Sequence, residues 1–230
     1  MSQIIALGGA GFSDEPAHLA LNQYILKQTN SARPNVCFVP TATGDSLEYT
    51  LNFYAAFAKL KCNPSHLSLF TRTPDLRELL LKQQVIYVGG GNTRSMLAVW
   101  RNWGMDRILR EALDAGIILC GPSAGAICWF EQGLTDSSAG SLNVLDCLGF
   151  LSGSCCPHYH SEADRQPSLH AFMKSGVISS GYALDDYAGV HFQDGKLVHT
   201  IASQQGAQAY YVSAAGGKVK EEALGMDFIG

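Results

Sequence analysis

Several features are missing from this chain, and each absence closes off a class of function. There is no basic run: the sixteen Lys and Arg are scattered and the net charge is −4, so nothing favours nucleic acid as a partner. No apolar run approaches the length of a bilayer span, and "MSQIIALGG" lacks the basic segment and long apolar core of a signal peptide. A cytoplasmic protein without a membrane partner is expected. No repeat, linker or low-complexity stretch interrupts the 230 residues, so a single domain over 1–230 is expected. CxxC pairs are also absent. The seven cysteines (Cys37, Cys62, Cys120, Cys128, Cys147, Cys155, Cys156) are odd in number and irregular in spacing, which reads as buried reduced thiols. The vicinal pair Cys155-Cys156 is a poor chelate, and no metal is expected there.

What remains is an ordinary globular composition, 47% apolar and 16% charged, on a chain long enough to bury a core without staples. Short apolar runs alternate with amphipathic stretches. Strands are expected at 3–9, 35–40, 66–70, 84–93 and 117–120, and helices at 16–29, 46–60, 73–83 and, as a pair, 93–116. Strand and helix in alternation imply right-handed βαβ units and a parallel sheet covered on both faces. After about residue 176 the texture changes to several short strands. "QDGK" (193–196) carries a two-residue Asp-Gly hairpin signal. The fold class expected is α/β, with a mostly parallel sheet between helices and antiparallel strands extending it toward the C-terminus.

Ligands of parallel sheets sit at the carboxyl ends of the strands, where three glycine-rich corners fall. "LGGAGF" (7–12) lacks GxGxxG, since position 14 is Asp, and reads as a structural turn. "VGGGNT" (88–93) places backbone N–H groups before a helix, a place for an anion or oxyanion; a tight turn explains it equally well. "GPSAGA" (121–126) satisfies G-x-S-x-G between strand and helix. A serine on such an elbow projects above the sheet only if its neighbours two residues away are small. Gly121 and Gly125 meet that need, and the Ala124 N–H points toward a developing oxyanion.

A nucleophilic serine needs a base. Of the seven histidines, His18, His66, His170, His191 and His199 fall in helical or strand patterns. His158 and His160 lie in the loop "GSCCPHYHSE" (153–162), a better setting for a base, and position alone does not separate them. The acid has two candidate regions, Asp136 in "GLTDSS" and Asp185-Asp186 in "ALDDYAG". Asp186 gains weight because a charge amid "GYALDDYAGVHF" would be partly buried and need a partner.

In order, "YVGGGNT", "GPSAGA" and "PHY" resemble the peptidase E group of serine peptidases, aspartyl dipeptidases related to cyanophycinases. The likeness covers about residues 84 to 190. It implies a class I glutamine amidotransferase-like fold with serine at the elbow. By this resemblance Ser123 is the nucleophile and His158, directly after Pro157, the base. The oxyanion donors are the amides of Gly90 and Ala124. The family's acid falls either at Asp136 or at the later strand end, where the family has Glu and this chain has Asp186. Arg165 matches an arginine that holds the substrate's N-terminal aspartate, and Asn92 is a further candidate substrate contact. The partner implied is a small peptide, with no cofactor. An edge strand would also allow a homodimer.

Two rival readings follow from the same residues. An α/β-hydrolase esterase shares G-x-S-x-G, but about seventy residues follow His158 and no HGGG loop is present. A non-catalytic small-molecule binder on an amidotransferase-like fold is the other. The joint presence of nucleophile, base and oxyanion glycines argues against it.

Overall fold

The computed structural model describes residues 1–12 and 19–230. The expected start of the first helix and His18 lie outside them. The parallel core follows from the alternation in the sequence. β1 (Gln3–Leu7), β2 (Asn35–Val39), β4 (Val85–Val88) and β5 (Ile118–Pro122) are buried along almost their whole length, and β3 (Asn63–His66) forms the edge. Side chains alternate across the sheet. Ile5, Leu7, Phe38 and Tyr87 pack with Ile25, Phe53 and Phe57 of helices α1 (Ala20–Lys27) and α2 (Leu47–Phe57). Ile4, Ala6, Val39 and Val88 face the other way, onto Leu97, Trp100, Leu109 and Leu113 of α4 (Thr93–Trp103) and α5 (Met105–Asp114). The short α3 (Leu76–Leu80) joins that side.

Several expected boundaries shift. The third strand ends at His66 rather than Phe70. There the Asp45 carboxylate accepts from the Ser68 hydroxyl and from the N–H groups of Leu69 and Phe70, which turns the chain out of the ladder. The helix after Ser123 is a single turn, α6 (Ala124–Ile127), because β6 (Phe130–Thr135) begins almost at once.

The C-terminal half departs further from expectation. β10 (Ala188–Gln193) and β11 (Lys196–Ala202) do extend the first sheet antiparallel at β1, through the Asp194-Gly195 turn with both residues at positive φ. The other strands build a second sheet. β7 (Asn143–Asp146), β8 (Leu151–Cys156), β9 (Gly181–Leu184), β12 (Ala209–Ala215) and β13 (Lys218–Ala223) join β6 in the order β13-β12-β9-β8-β6-β7. The first sheet reads β14-β11-β10-β1-β5-β4-β2-β3, with β14 at Asp227–Phe228. Trp129, Phe130, Leu151 and Leu184 merge one face of the second sheet into the core under α4 and α5. Its other face packs on Leu169 and Met173 of α7 (Arg165–Lys174). The sequence could not place these strands, because β6–β8 and β8–β9 pair in parallel across long intervening segments. No helix among the described residues is long and apolar enough to cross a membrane.

Candidate active site

The site gathers where the first sheet meets the second. Ser123 follows β5 of the first sheet, His158 follows β8 of the second, and Asp186 lies on the link from β9 to β10, where the chain passes between sheets. The end of β1 holds them together. Leu7 O accepts the Ser123 N–H at 3.1 Å, and Gly8 O accepts the His158 N–H at 3.3 Å. The corner "LGGAGF", expected only as a structural turn, is thus the platform on which Ser123 and His158 are set.

Ser123 has φ 55 and ψ −115, a conformation that costs a non-glycine residue on the order of 1–3 kcal/mol. The strain is held in place by the Leu7 bond and by N–H groups of Ala126 and Ile127, which donate to Ser123 O at 2.8 and 2.9 Å. A Cβ on Gly121 or Gly125 would come 2.0 or 2.2 Å from Val88 O, so the elbow closes only with glycine at both positions. Six non-glycine residues have positive φ among those described. Four of them, Ala10, Ser123, His158 and Tyr187, flank this site, so most of the backbone strain collects here.

His158 Nδ1 lies 2.7 Å from Asp186 Oδ1. Half-burial works against ionisation of Asp186. Hydrogen bonds from His158 and Ser161, with the charges of His158 and Arg165, outweigh it and hold the carboxyl below its usual range. An ionised Asp186 fixes the tautomer with the proton on Nδ1 and leaves Nε2 as the acceptor. His160 is paired separately: its Nδ1 stands 2.8 Å from Asp185 Oδ1. The two loop histidines that position could not separate therefore take two different carboxylates. Tyr159, fully buried between them, donates its hydroxyl to Glu221, which Gln166 and His170 also engage, at 2.9 and 2.6 Å.

The glycine triplet fits round its neighbours. A Cβ on Gly90 would stand 3.4 Å from Ser123 Cβ and 3.9 Å from Oγ, in ordinary contact. Gly89 leaves room for the Tyr49 ring, whose Cε1 would be 2.7 Å from a Cβ. The Gly90 N–H donates to the Tyr49 hydroxyl at 3.2 Å. Sequence reasoning missed Tyr49, which reads as one more apolar residue of α2. Ala124 opens α6, so its amide belongs to the first turn, where N–H groups have no intrahelical acceptor.

The remaining candidates are held by contacts of their own. Asp136 is exposed and faces Arg165, with Oδ1 3.7 Å from Nη2, and the acid bonded to His158 is Asp186. Arg165 is 2% exposed; its Nε donates to Glu162 at 2.7 Å and its Nη1 to Leu134 O at 3.0 Å. The Asn92 side chain is engaged within the protein. Its Oδ1 caps α4 by accepting the Ser95 N–H at 2.9 Å, and its Nδ2 donates to Ser137 O at 3.0 Å. Asn92 thereby ties the glycine triplet to the loop that carries Asp136. All seven cysteines are unpaired. Burial pushes the Cys120 and Cys128 thiols well up, so neither is a ready thiolate.

The fold and this constellation place the chain among peptidases with the peptidase E architecture. It belongs to peptidase family S51, whose model matches residues 4–200. Among curated relatives it is 52% identical to an uncharacterized peptidase, YgaJ, of Bacillus subtilis (strain 168), over the full length of both chains. It is 30% identical over 185 residues to another, Lmo0363 of Listeria monocytogenes serovar 1/2a (strain ATCC BAA-679 / EGD-e), covering 75% of this chain and 88% of the relative. Two crystal structures share the fold. One is a peptidase from an acI-B1 Actinobacterium (TM-score 0.76, 16% identity, 98% of this chain and 95% of that one). The other is a putative peptidase E protein from Listeria monocytogenes EGD-e (TM-score 0.66, 20% identity, 89% and 100%). The chain is a hydrolase of peptide bonds.

Proposed function

We propose that this peptidase is a serine-type dipeptidase that cleaves small peptides with an N-terminal aspartate through Ser123, His158 and Asp186. The observation that carries the reading is the pairing of a strained Ser123 with a His158–Asp186 couple on one strand end, β1. His158 Nε2 takes the Ser123 proton as Oγ attacks the carbonyl carbon. Asp186 stays ionised and steadies the imidazolium. The tetrahedral oxyanion sits on the amides of Gly90 and Ala124. His158 then protonates the leaving amine, and water, activated by the same imidazole, releases the acyl group.

The aspartyl preference rests on Arg165. Its Nη2 faces the exposed carboxylate of Asp136 across 3.7 Å, and an acidic substrate side chain would take that carboxylate's place. Arg165 suits the task, because a planar guanidinium grips a carboxylate through two parallel hydrogen bonds.

The test compares hydrolysis of Asp-Leu, Glu-Leu, β-Asp-Leu and Ala-Leu by the wild type and by Ser123→Ala. Turnover confined to the wild type and fastest on Asp-Leu is expected. Wild-type rates persisting in Ser123→Ala would sink the nucleophile assignment. Equal rates on Ala-Leu and Asp-Leu would sink the aspartyl preference.

A further inference from the structure

We propose that His160 and Asp185 are a positioning pair for the reaction: their bond sets the loop that carries His158 against the link that carries Asp186. The inference rests on the serine-peptidase reading above. The ladder between β8 and β9 ends at Cys156 and Ala183. Beyond it no strand pairing joins the loop to the link, yet His158 and Asp186 meet within hydrogen-bond distance. Three contacts span the gap. The Tyr159 N–H donates to Leu184 O at 3.0 Å. His158 Nδ1 meets Asp186 Oδ1 at 2.7 Å, and His160 Nδ1 meets Asp185 Oδ1 at 2.8 Å. The proposed reacting couple is therefore flanked by a second imidazole–carboxylate couple.

Asp185 is anchored to the second sheet. Its Oδ2 accepts the Gln208 N–H at 3.1 Å, and its own N–H donates to Gln208 O at 3.0 Å, just before β12. The end of β1 presses against it as well, since a Cβ on Gly8 would fall 2.1 Å from Asp185 O. The Asp185 side chain is only 15% exposed, and each of its oxygens has a partner. His160 is thus tied through Asp185 to the frame of the sheet. Its ring is seated too, edge-on to Tyr210 at 5.3 Å and 75°. An ionised carboxylate only accepts, so the bonding proton stands on His160 Nδ1. A fully exposed pair would do little. This one is largely covered and joins the two segments whose separation sets the His158–Asp186 bond. Misplacing a reacting group by about 1 Å costs on the order of a hundredfold in rate. The alternative, that the pair only adds stability, predicts fewer folded molecules and unchanged turnover in each.

The experiment compares His160→Phe, His160→Gln and His160→Asn with the wild type. His160→Phe keeps a ring against Tyr210 and removes the donor. In His160→Gln the amide nitrogen falls near the place of Nε2, too far out for Asp185. In His160→Asn it falls near the place of Nδ1 and restores the bond. Active sites are counted by fluorophosphonate labelling of Ser123, and Asp-Leu turnover is expressed per labelled site. In His160→Phe and His160→Gln, kcat should fall about ten- to a hundredfold with KM little changed. His160→Asn should recover most of the loss. The low-field Nδ1 proton resonance of His158, assigned by its loss in Asp186→Asn, should shift in the first two variants and return in the third. Wild-type kcat per site in His160→Phe and His160→Gln would overturn the inference and leave the serine mechanism standing. An equal loss in His160→Asn, or a resonance that does not move, rejects it too. So does loss of folding in both His160→Phe and His160→Gln, because the pair would then support the fold rather than the couple. A wild type that neither labels nor hydrolyses peptides would overturn both the inference and the reading beneath it.

Discussion

Gly9 stands directly against the His158–Asp186 couple: a Cβ on Gly9 would fall 1.9 Å from Asp186 Oδ1 and 2.8 Å from His158 Cε1. One methyl group cannot be added there without parting the imidazole from its carboxylate. Gly9→Ala should lower kcat/KM for a cleaved dipeptide at least about a hundredfold, on the order of a lost catalytic base. The melting temperature should move little, since the displaced groups are side chains at a half-open site. Comparing steady-state kinetics with a thermal melt checks it.

The two candidate acids should separate cleanly. Asp186→Asn leaves the imidazole next to an amide that no longer selects the productive tautomer. A fall in kcat on the order of a thousandfold or more is expected. Asp136→Asn removes an exposed partner of Arg165. It should change kcat by less than about fivefold and lower KM for Asp-Leu, because a competing carboxylate has gone. The same substrate series measured on both variants gives the answer.

Stability should depend on pH through His191. It is fully buried between the Tyr24 hydroxyl, 2.9 Å from Nδ1, and Gln3, 3.0 Å from Nε2. Burial, helped by the nearby His199, pushes its pKa down to about 4 from 6.5. Between those two values the unfolded chain binds a proton that the native state refuses, so stability rises with pH across that window. The contribution is complete above about pH 6.5 and is lost as pH falls toward about 4. It amounts to at most about 3 kcal/mol. Urea unfolding of wild type and His191→Gln at several pH values should show the slope difference confined to this range.

Tyr159 should matter to catalysis without touching substrate. Burial, together with the Glu221 carboxylate, pushes its pKa well up, so the hydroxyl acts as a donor. Burial works against ionisation of Glu221, but bonds from Tyr159, Gln166 and His170 outweigh it and hold the carboxyl down. Tyr159→Phe should cost about 1.5–3 kcal/mol, the usual range for hydrogen bonds to charged groups. It should also loosen the loop between His158 and His160, and so lower kcat more than it raises KM. Denaturant melts and kinetics on one dipeptide series test both parts.

The Ser123 elbow is legible because a short local pattern, a serine flanked by glycines, carries it, whereas His158 is set apart from His160 only by the resemblance to peptidase E. Asp186 is not separable from Asp136 in sequence, because the choice depends on where a link between two sheets passes. β1, β2, β4 and β5 are legible as buried apolar runs. The second sheet is hidden: "FEQGLT" and "LSGSCC" are mixed in polarity, and they find each other across the intervening β7 segment. Tyr49 is invisible because its ring obeys the helical pattern and only its hydroxyl breaks it.

The division of Ser123 and His158 between two sheets has a kinetic consequence for the proposed mechanism. Serine arrives on one sheet and imidazole on the other, and the end of β1 is bonded to both. A slip of a fraction of an ångström along that seam would silence the enzyme while leaving every helix and strand intact. In a denaturant titration, turnover should therefore fade before circular dichroism reports any loss of structure.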